Sequence, residues 1–226
     1  MRGKTANPTE HSLAQVLRWP SRRARDWVIG FLDAAASDPN IIAVIAVGSA
    51  VRPGVPSSDV DLVAICRDPL LLKGVRPLEV DLRAYPDADI DARIENGHDV
   101  LGWAVRFGRV LFQRDSFWTR LVTRWRHRLP LPPSKVARAR AAAAYHRLAS
   151  VFEFGDADAV HEQALCYLTH LARAELLDRG VYPISRPELA EQLRGIGNRQ
   201  LAAWLDRLLS EPTALAEIDE LVKLAV

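Results

Sequence analysis

The sequence predicts an α/β domain, α+β in the order of its segments and built on a small mixed sheet, followed by an all-α helical bundle. Three observations predict it. Ile41 to Val47 is an unbroken apolar run rich in β-branched residues, the pattern of a buried strand. Residues 59–65 open with Asp59 and Asp61 alternating with Val60 and Leu62, the period-two signature of a strand with one polar face. Beyond Pro130-Leu131-Pro132-Pro133, every segment carries helical spacing and nothing else.

Taken in order, residues 1–20 are polar and are expected to form a flexible N-terminus ending at Pro20. Ser21 is an N-cap for a helix running to about Ala36, with Trp27, Val28, Phe31 and Leu32 as its apolar face; Asp38-Pro39-Asn40 breaks it. After the first strand comes a Gly/Pro/Ser-rich turn over residues 48–58, then the 59–65 strand, a connector over 68–77 and a third strand over 78–84. Residues 87–106 read as a helix, Arg109 to Gln113 as a short edge strand, and residues 116–129 as a helix. The first domain is placed at 21–129, a proline-rich linker at 130–133, and the helical domain at 134–226. Its helices are expected at 134–154, 158–178, 187–193, 198–209 and from Thr213 onward, with Gly155, Gly180 and Gly195 at helix ends.

Composition narrows the function classes. Of 226 residues, 49% are hydrophobic and 26% charged, which excludes a disordered or collagenous chain. The longest apolar run without a charge, residues 40–51, is too short for a bilayer, which needs about 20 residues. The first twelve residues lack the apolar stretch of a secretory signal, and Cys66 and Cys166 lack the spacing of a disulfide scaffold or zinc site. The expectation is a soluble, cytoplasmic protein with no membrane partner. The net charge of +2 hides a strong asymmetry: residues 103–140 hold 10 Lys/Arg against 1 acid, residues 141–226 hold 8 against 13. The basic segment is interleaved with Trp103, Phe107, Phe112, Phe117, Trp118 and Trp125, and it suits either a polyanion or a solvated face.

The stretch that carries chemistry is Gly48-Ser49, nine residues, then Asp59-Val60-Asp61-Leu62, with Val80-Asp81-Leu82 on a further strand. A glycine at a strand end lets backbone approach a ligand closely. The turn after it offers N–H groups and the Ser49 hydroxyl, which suit phosphate oxygens. Asp59 and Asp61, two residues apart, share one strand face, and Asp81 on a neighbouring strand can join them. Three converging carboxylates repel one another unless a cation sits between them. Mg²⁺ is the natural guest, being oxygen-seeking and commonly held by carboxylates together with substrate phosphates. Glu79, two residues before Asp81, competes with it for the third position; the apolar flanks Val80 and Leu82 favour Asp81.

This pattern resembles the DNA polymerase β-type nucleotidyltransferase superfamily, and within it the bacterial minimal and antibiotic (aminoglycoside-type) nucleotidyltransferases. Val47-Gly48-Ser49, Asp59-Val60-Asp61-Leu62 and Val80-Asp81-Leu82 carry the likeness, over about residues 25–115. The family's turn commonly reads Gly-Ser-x-Ala-Arg-Gly and then Ser-Asp; here Val51 replaces the Ala, Pro53 intrudes before Gly54, and Ser58-Asp59 closes the spacer. The resemblance implies an Mg²⁺-dependent enzyme, with two ions, that transfers a nucleoside monophosphate from a nucleoside triphosphate such as ATP and releases pyrophosphate. It implies Asp59, Asp61 and Asp81 as catalytic and metal-holding residues, and Gly48, Ser49, Arg52 and Ser58 as the nucleotide-binding turn. The helical domain would then help to select the acceptor, and a homodimer is compatible with such proteins.

Three acceptor readings follow. The first is a small hydroxyl-bearing molecule, such as an aminoglycoside-like antibiotic, which an acidic helical domain suits. The second is an RNA such as transfer RNA, or a protein, as in toxin-type relatives. The third is an antitoxin-like member acting through a protein interface. No histidine pair has metal-ligand spacing, and Arg140 and His146, six positions apart, sit about 240° apart around a helix.

Overall fold

The computed structural model describes residues 13–72, 74–210 and 213–225. The chain divides into two compact units, the first ending at Pro130 and the second beginning at Leu131, inside the proline-rich segment. In the first unit, α1 (Arg22–Ser37) leads into β1 (Ile41–Val47), β2 (Val60–Cys66), β3 (Val80–Pro86), α2 (Ile90–Glu95), α3 (Asp99–Phe107), β4 (Arg109–Gln113) and α4 (Phe117–Trp125). The four strands form one mixed sheet in the order β3-β2-β1-β4. β1 runs antiparallel to both β2 and β4, whereas β2 and β3 are parallel.

Strand alternation sorts the side chains into two layers. Val44 and Ala46 of β1, Val60 and Leu62 of β2 and Val80 of β3 pack on Ala24, Val28, Leu32 and Ala35 of α1. Ala43, Ile45 and Val47, with Val63 and Ile65, face Ile90 and Ile94 of α2, Leu101, Ala104 and Val105 of α3, and Trp118, Leu121 and Trp125 of α4. The end of α1 is tied to the sheet by Arg114. Its Nη2 donates to the carbonyls of Ala35, Ala36 and Asp38 at 2.8, 3.0 and 2.9 Å, and its Nε to Ile41 at 2.9 Å. A cation at the carbonyl end of α1 meets the negative end of the helix dipole.

Several elements depart from the expectation. Residues 13–20 do not fray: Leu13 and Val16 are buried in the α1 core, and the amides of Leu17 and Arg18 donate to the Ala50 carbonyl. Residues 1–12 of the expected flexible start lie outside the described residues. The helix expected over 87–106 is interrupted, because Gly97 at φ 72° ends α2 and His98 caps α3 by accepting from the Leu101 amide. The third strand begins at Val80, since the Val80 amide turns back to the Pro77 carbonyl. The last helix of the unit stops at Trp125.

The second unit contains α5 (Ser134–Phe154), α6 (Ala157–Asp178), α7 (Leu189–Gly195), α8 (Arg199–Ser210) and α9 (Leu215–Ala225). α5 buries Ala137, Ala141, Ala144 and Leu148, one face at helical spacing, against a core that includes Val160, Ala164, Leu168 and Ala172 of α6. Small side chains let the helix axes come close. Gly155 (φ 68°) closes α5, and the Asp156 carboxylate accepts from Ala159 to start α6. Gly195 is the last residue of α7, at the expected helix end, and the left-handed position beyond it belongs to Gly197 (φ 85°). Among the described residues, no helix is long and apolar enough to cross a membrane.

Two predictions follow from this packing. Thr169 is 2% exposed in α6, and its hydroxyl has no hydrogen-bond partner among the described residues. Thr169→Val keeps the shape and removes the buried orphan, so it should stabilise by about 1 kcal/mol and raise Tm by about 2–4 °C in a thermal melt. Burial, reinforced by the negative charges of Asp68, Asp87 and Asp38, pushes the Cys66 thiol up to about 11. At pH 8 only about one thiol in a thousand is then thiolate, so alkylation of the native protein should label half-buried Cys166 and spare Cys66. Peptide mapping of the alkylated protein reads the result.

Candidate active site

The site forms where β1 ends and β2 and β3 begin. In the antiparallel register Val47 pairs with Asp61, and in the parallel register Asp61 stands beside Asp81. Neighbouring strands lie about 4.8 Å apart, so both carboxylates rise from one sheet edge on the same face. Both residues are half-buried. Asp59 stands one residue ahead of β2 and two ahead of Asp61, also half-buried.

Gly48 determines how close this edge can be. Its φ of 77° lies in the left-handed region, and a Cβ built on it would fall 2.3 Å from Asp61 Oδ2. Only glycine allows both the turn and the contact. The chain then makes one short helical turn, Ser49–Val51, closed by the Arg52 amide donating to the Ser49 carbonyl at 3.0 Å. The rest of the turn is held by hydroxyls. Ser49 Oγ donates to Ser57 Oγ at 2.9 Å, and Ser57 Oγ donates to the Asp59 carbonyl at 2.6 Å. The Gly-Ser corner and the first aspartate are thus one hydrogen-bonded loop. Ser58 is exposed beside it, and the Arg52 guanidinium lies 5.1 Å from the Phe107 ring centroid, at the end of α3.

Glu79 and Asp81 part company here. Glu79 sits in the turn before β3 instead of on the strand, and its carboxylate accepts from the Ser21 hydroxyl at 3.2 Å, at the N-cap of α1. Asp81 is on the strand and accepts a hydrogen bond on Oδ2 from Arg83 Nε at 2.8 Å, and Arg83 Nη2 forms an ion pair with the same oxygen at 2.8 Å. Burial works against the Arg83 charge, but the hydrogen bond to Asp81 and the charges of Asp81 and Asp61 outweigh it and raise the guanidinium pKa.

Sequence reasoning missed three of these participants: Ser57, Phe107 and Arg83. The signal for Arg83 was present, since a residue two along a strand from Asp81 shares its face. Nothing local to Phe107 points at Arg52, because the two come together only through the fold.

The residues test the fit of a divalent cation. Among the described residues, no three His, Cys, Asp or Glu side chains are gathered so as to hold a metal ion. Asp81 is engaged by Arg83 instead. Mg²⁺ needs less than three: one or two carboxylates, with waters and phosphates completing its shell. Asp59 and Asp61 supply that donor set at the cradled edge. Elsewhere, Arg140 and His146 are both exposed on α5. Of the ten cations in residues 103–140, at least five have internal hydrogen-bond partners. Arg114 holds α1, Arg120 the Asp115 carbonyl, Arg124 the Asp91 carboxylate, Arg128 the Arg124 carbonyl and Arg138 the Asp178 carboxylate.

The glycines give a paired prediction. Gly48→Ala adds strain at φ 77° and drives its methyl into Asp61, so it should destabilise by more than about 1 kcal/mol. Gly30→Ala, in α1 with nothing within 4 Å of the new Cβ, should stabilise by about 0.5–1 kcal/mol. Denaturant melts of the two variants should therefore move in opposite directions.

No protein-family model and no curated protein matches the chain. Among solved structures, it is similar to a nucleotidyltransferase-like protein from Exiguobacterium sibiricum 255-15. The two are 21% identical, with a TM-score of 0.42, over 89% of this chain and 71% of that one. A likeness of this size adds no weight to a functional reading, which rests on the residues of the site.

Proposed function

We propose that the chain is an Mg²⁺-dependent nucleotidyltransferase that moves a nucleoside monophosphate from a triphosphate such as ATP to an acceptor hydroxyl. One observation carries this reading: Asp61, cradled by Gly48, stands in register with Asp81 at the sheet edge where the Gly48-Ser49 turn begins. A glycine corner suits the close approach of a phosphate chain, and two carboxylates beside it suit the chemistry at the α-phosphorus.

In this mechanism the Gly48–Arg52 turn binds the outer phosphates, with Arg52 held at its place by Phe107. Ser57 keeps the turn and Asp59 in fixed relation through its two hydrogen bonds. Mg²⁺ on Asp59 and Asp61 would neutralise the phosphate charge and lower the pKa of the acceptor hydroxyl. The acceptor oxygen bonds to the α-phosphorus, the bond from that phosphorus to the bridging oxygen breaks, and pyrophosphate leaves. Asp81 accepts the proton from the hydroxyl. Glu79, bonded to the cap of α1, serves the fold.

A small hydroxyl-bearing molecule is the acceptor the observations favour. At least half of the cations that would track an RNA backbone already serve internal partners, which leaves the basic segment weaker as a polyanion-binding surface than its composition suggests.

The test is incubation with each labelled triphosphate, Mg²⁺ and separate pools of aminoglycoside-type compounds, RNA and protein. Label should enter the small-molecule pool with release of pyrophosphate. Asp61→Asn should abolish transfer, Asp81→Asn should slow single-turnover transfer by at least about 10²-fold, and Glu79→Gln should leave it near wild type. Mg²⁺ with triphosphate should raise the Tm of the wild type and not of Asp61→Asn. Full turnover in Asp61→Asn would sink the reading.

A further inference from the structure

Arg83 has no part in the chemistry proposed above, yet it is bound to Asp81, which does. Arg83 follows Asp81 by two residues on β3, so its side chain leaves the same face of the strand. Nε, which donates a hydrogen bond, and Nη2, which forms the ion pair, both lie 2.8 Å from a single oxygen, Oδ2. The pair is about half exposed, with side-chain exposures of 51% and 42%, so the guanidinium can leave without passing through the core. Asp81 is also the acid whose strand position stands in register with Asp61 on the neighbouring strand.

Resting on the metal reading above, we propose that Arg83 is an exchangeable internal counter-ion. In the metal-free protein its guanidinium occupies Asp81, and a divalent cation entering the Asp59–Asp61 edge competes with it for that carboxylate. Asp61 and Asp81, in register on adjacent strands, carry like charge, and Arg83 offsets that repulsion by hydrogen bonding to Asp81 as well as by charge. The consequence is a site that stays formed while empty and charges a toll in affinity when it loads. A planar guanidinium is needed to bring two nitrogens onto one carboxylate oxygen, and a lysine ammonium supplies only one.

The experiment is calorimetric titration of Mg²⁺, and of Mn²⁺ as the tighter-binding probe, into full-length protein without triphosphate. Wild type is compared with Arg83→Gln, Arg83→Lys, Asp81→Asn and the Arg83→Gln/Asp81→Asn double variant. Breaking a half-exposed pair should let Arg83→Gln bind metal roughly fivefold more tightly, with Arg83→Lys between it and wild type. Its metal-free Tm should fall below that of the wild type and recover when metal is added. In the Asp81→Asn background, Arg83→Gln should bring no gain, because there is no carboxylate to release. Metal binding by the wild type with no gain in Arg83→Gln overturns the exchange alone. An equal gain in the Asp81→Asn background also overturns it, since the effect would then be general charge removal. Absence of metal binding in every variant, or undiminished binding in Asp59→Asn and Asp61→Asn controls, overturns the metal reading itself and the exchange with it.

Discussion

The contact on which the candidate site depends is the approach of the Asp61 carboxylate to the α-carbon of Gly48. A methyl group there would stand 2.3 Å from Oδ2, so the strand pair can carry a carboxylate at this position only because the facing residue has no side chain. The antiparallel register that brings Val47 opposite Asp61 sets where the corner falls. The parallel register of β2 and β3 then sets where Asp81 must stand. A slip of one residue in either pairing would send one of these acids to the α1 face, where the packing is apolar.

Around that contact, rigidity comes from layers that do no chemistry. α1 fills one face of the sheet, and Arg114 pins its C-terminal carbonyls to β1. α2, α3 and α4 fill the other face, and Gly108 lets α3 end tight against Ile45, where a Cβ would lie 2.7 Å from its methyl group. The site therefore sits at the rim of a sheet packed on both faces, on strand ends that cannot shift independently. Preorganisation of this kind is what a phosphoryl-transfer site needs, since positioning contributes a large part of the rate.

Charge is balanced locally on both the functional and the structural residues. Arg83 answers Asp81, Arg124 answers Asp91, and Arg138 answers Asp178. Exposed pairs of this sort contribute little stability one by one. The pairs of Arg124 and Arg138 take cations out of a segment that composition alone paints as a polycationic belt. The second unit depends on a different device, a ridge of alanines at helical spacing that packs α5 on α6 with little side-chain bulk between them.

The sequence by itself determined the division of the chain near the proline-rich segment, the identity of the first strand and its flanking helix, and the α5 helix to the residue. Periodicity and punctuation are local properties, and these segments carry them strongly. It also brought forward Gly48, Ser49, Asp59, Asp61 and Asp81, because a glycine at a strand end and acids on a strand are locally conspicuous. Tertiary structure alone decided between Glu79 and Asp81 as strand residues. The turn at Pro77 starts β3 one residue after Glu79, and the helix cap at Ser21, 58 positions away, receives the glutamate. The burial of Leu13 and Val16, the seating of Arg52 on Phe107 and the use of half the basic segment as internal ties were likewise invisible locally. Each depends on a partner supplied by a distant segment, and a one-dimensional pattern holds no record of which distant groups the fold will bring within 3 to 5 Å.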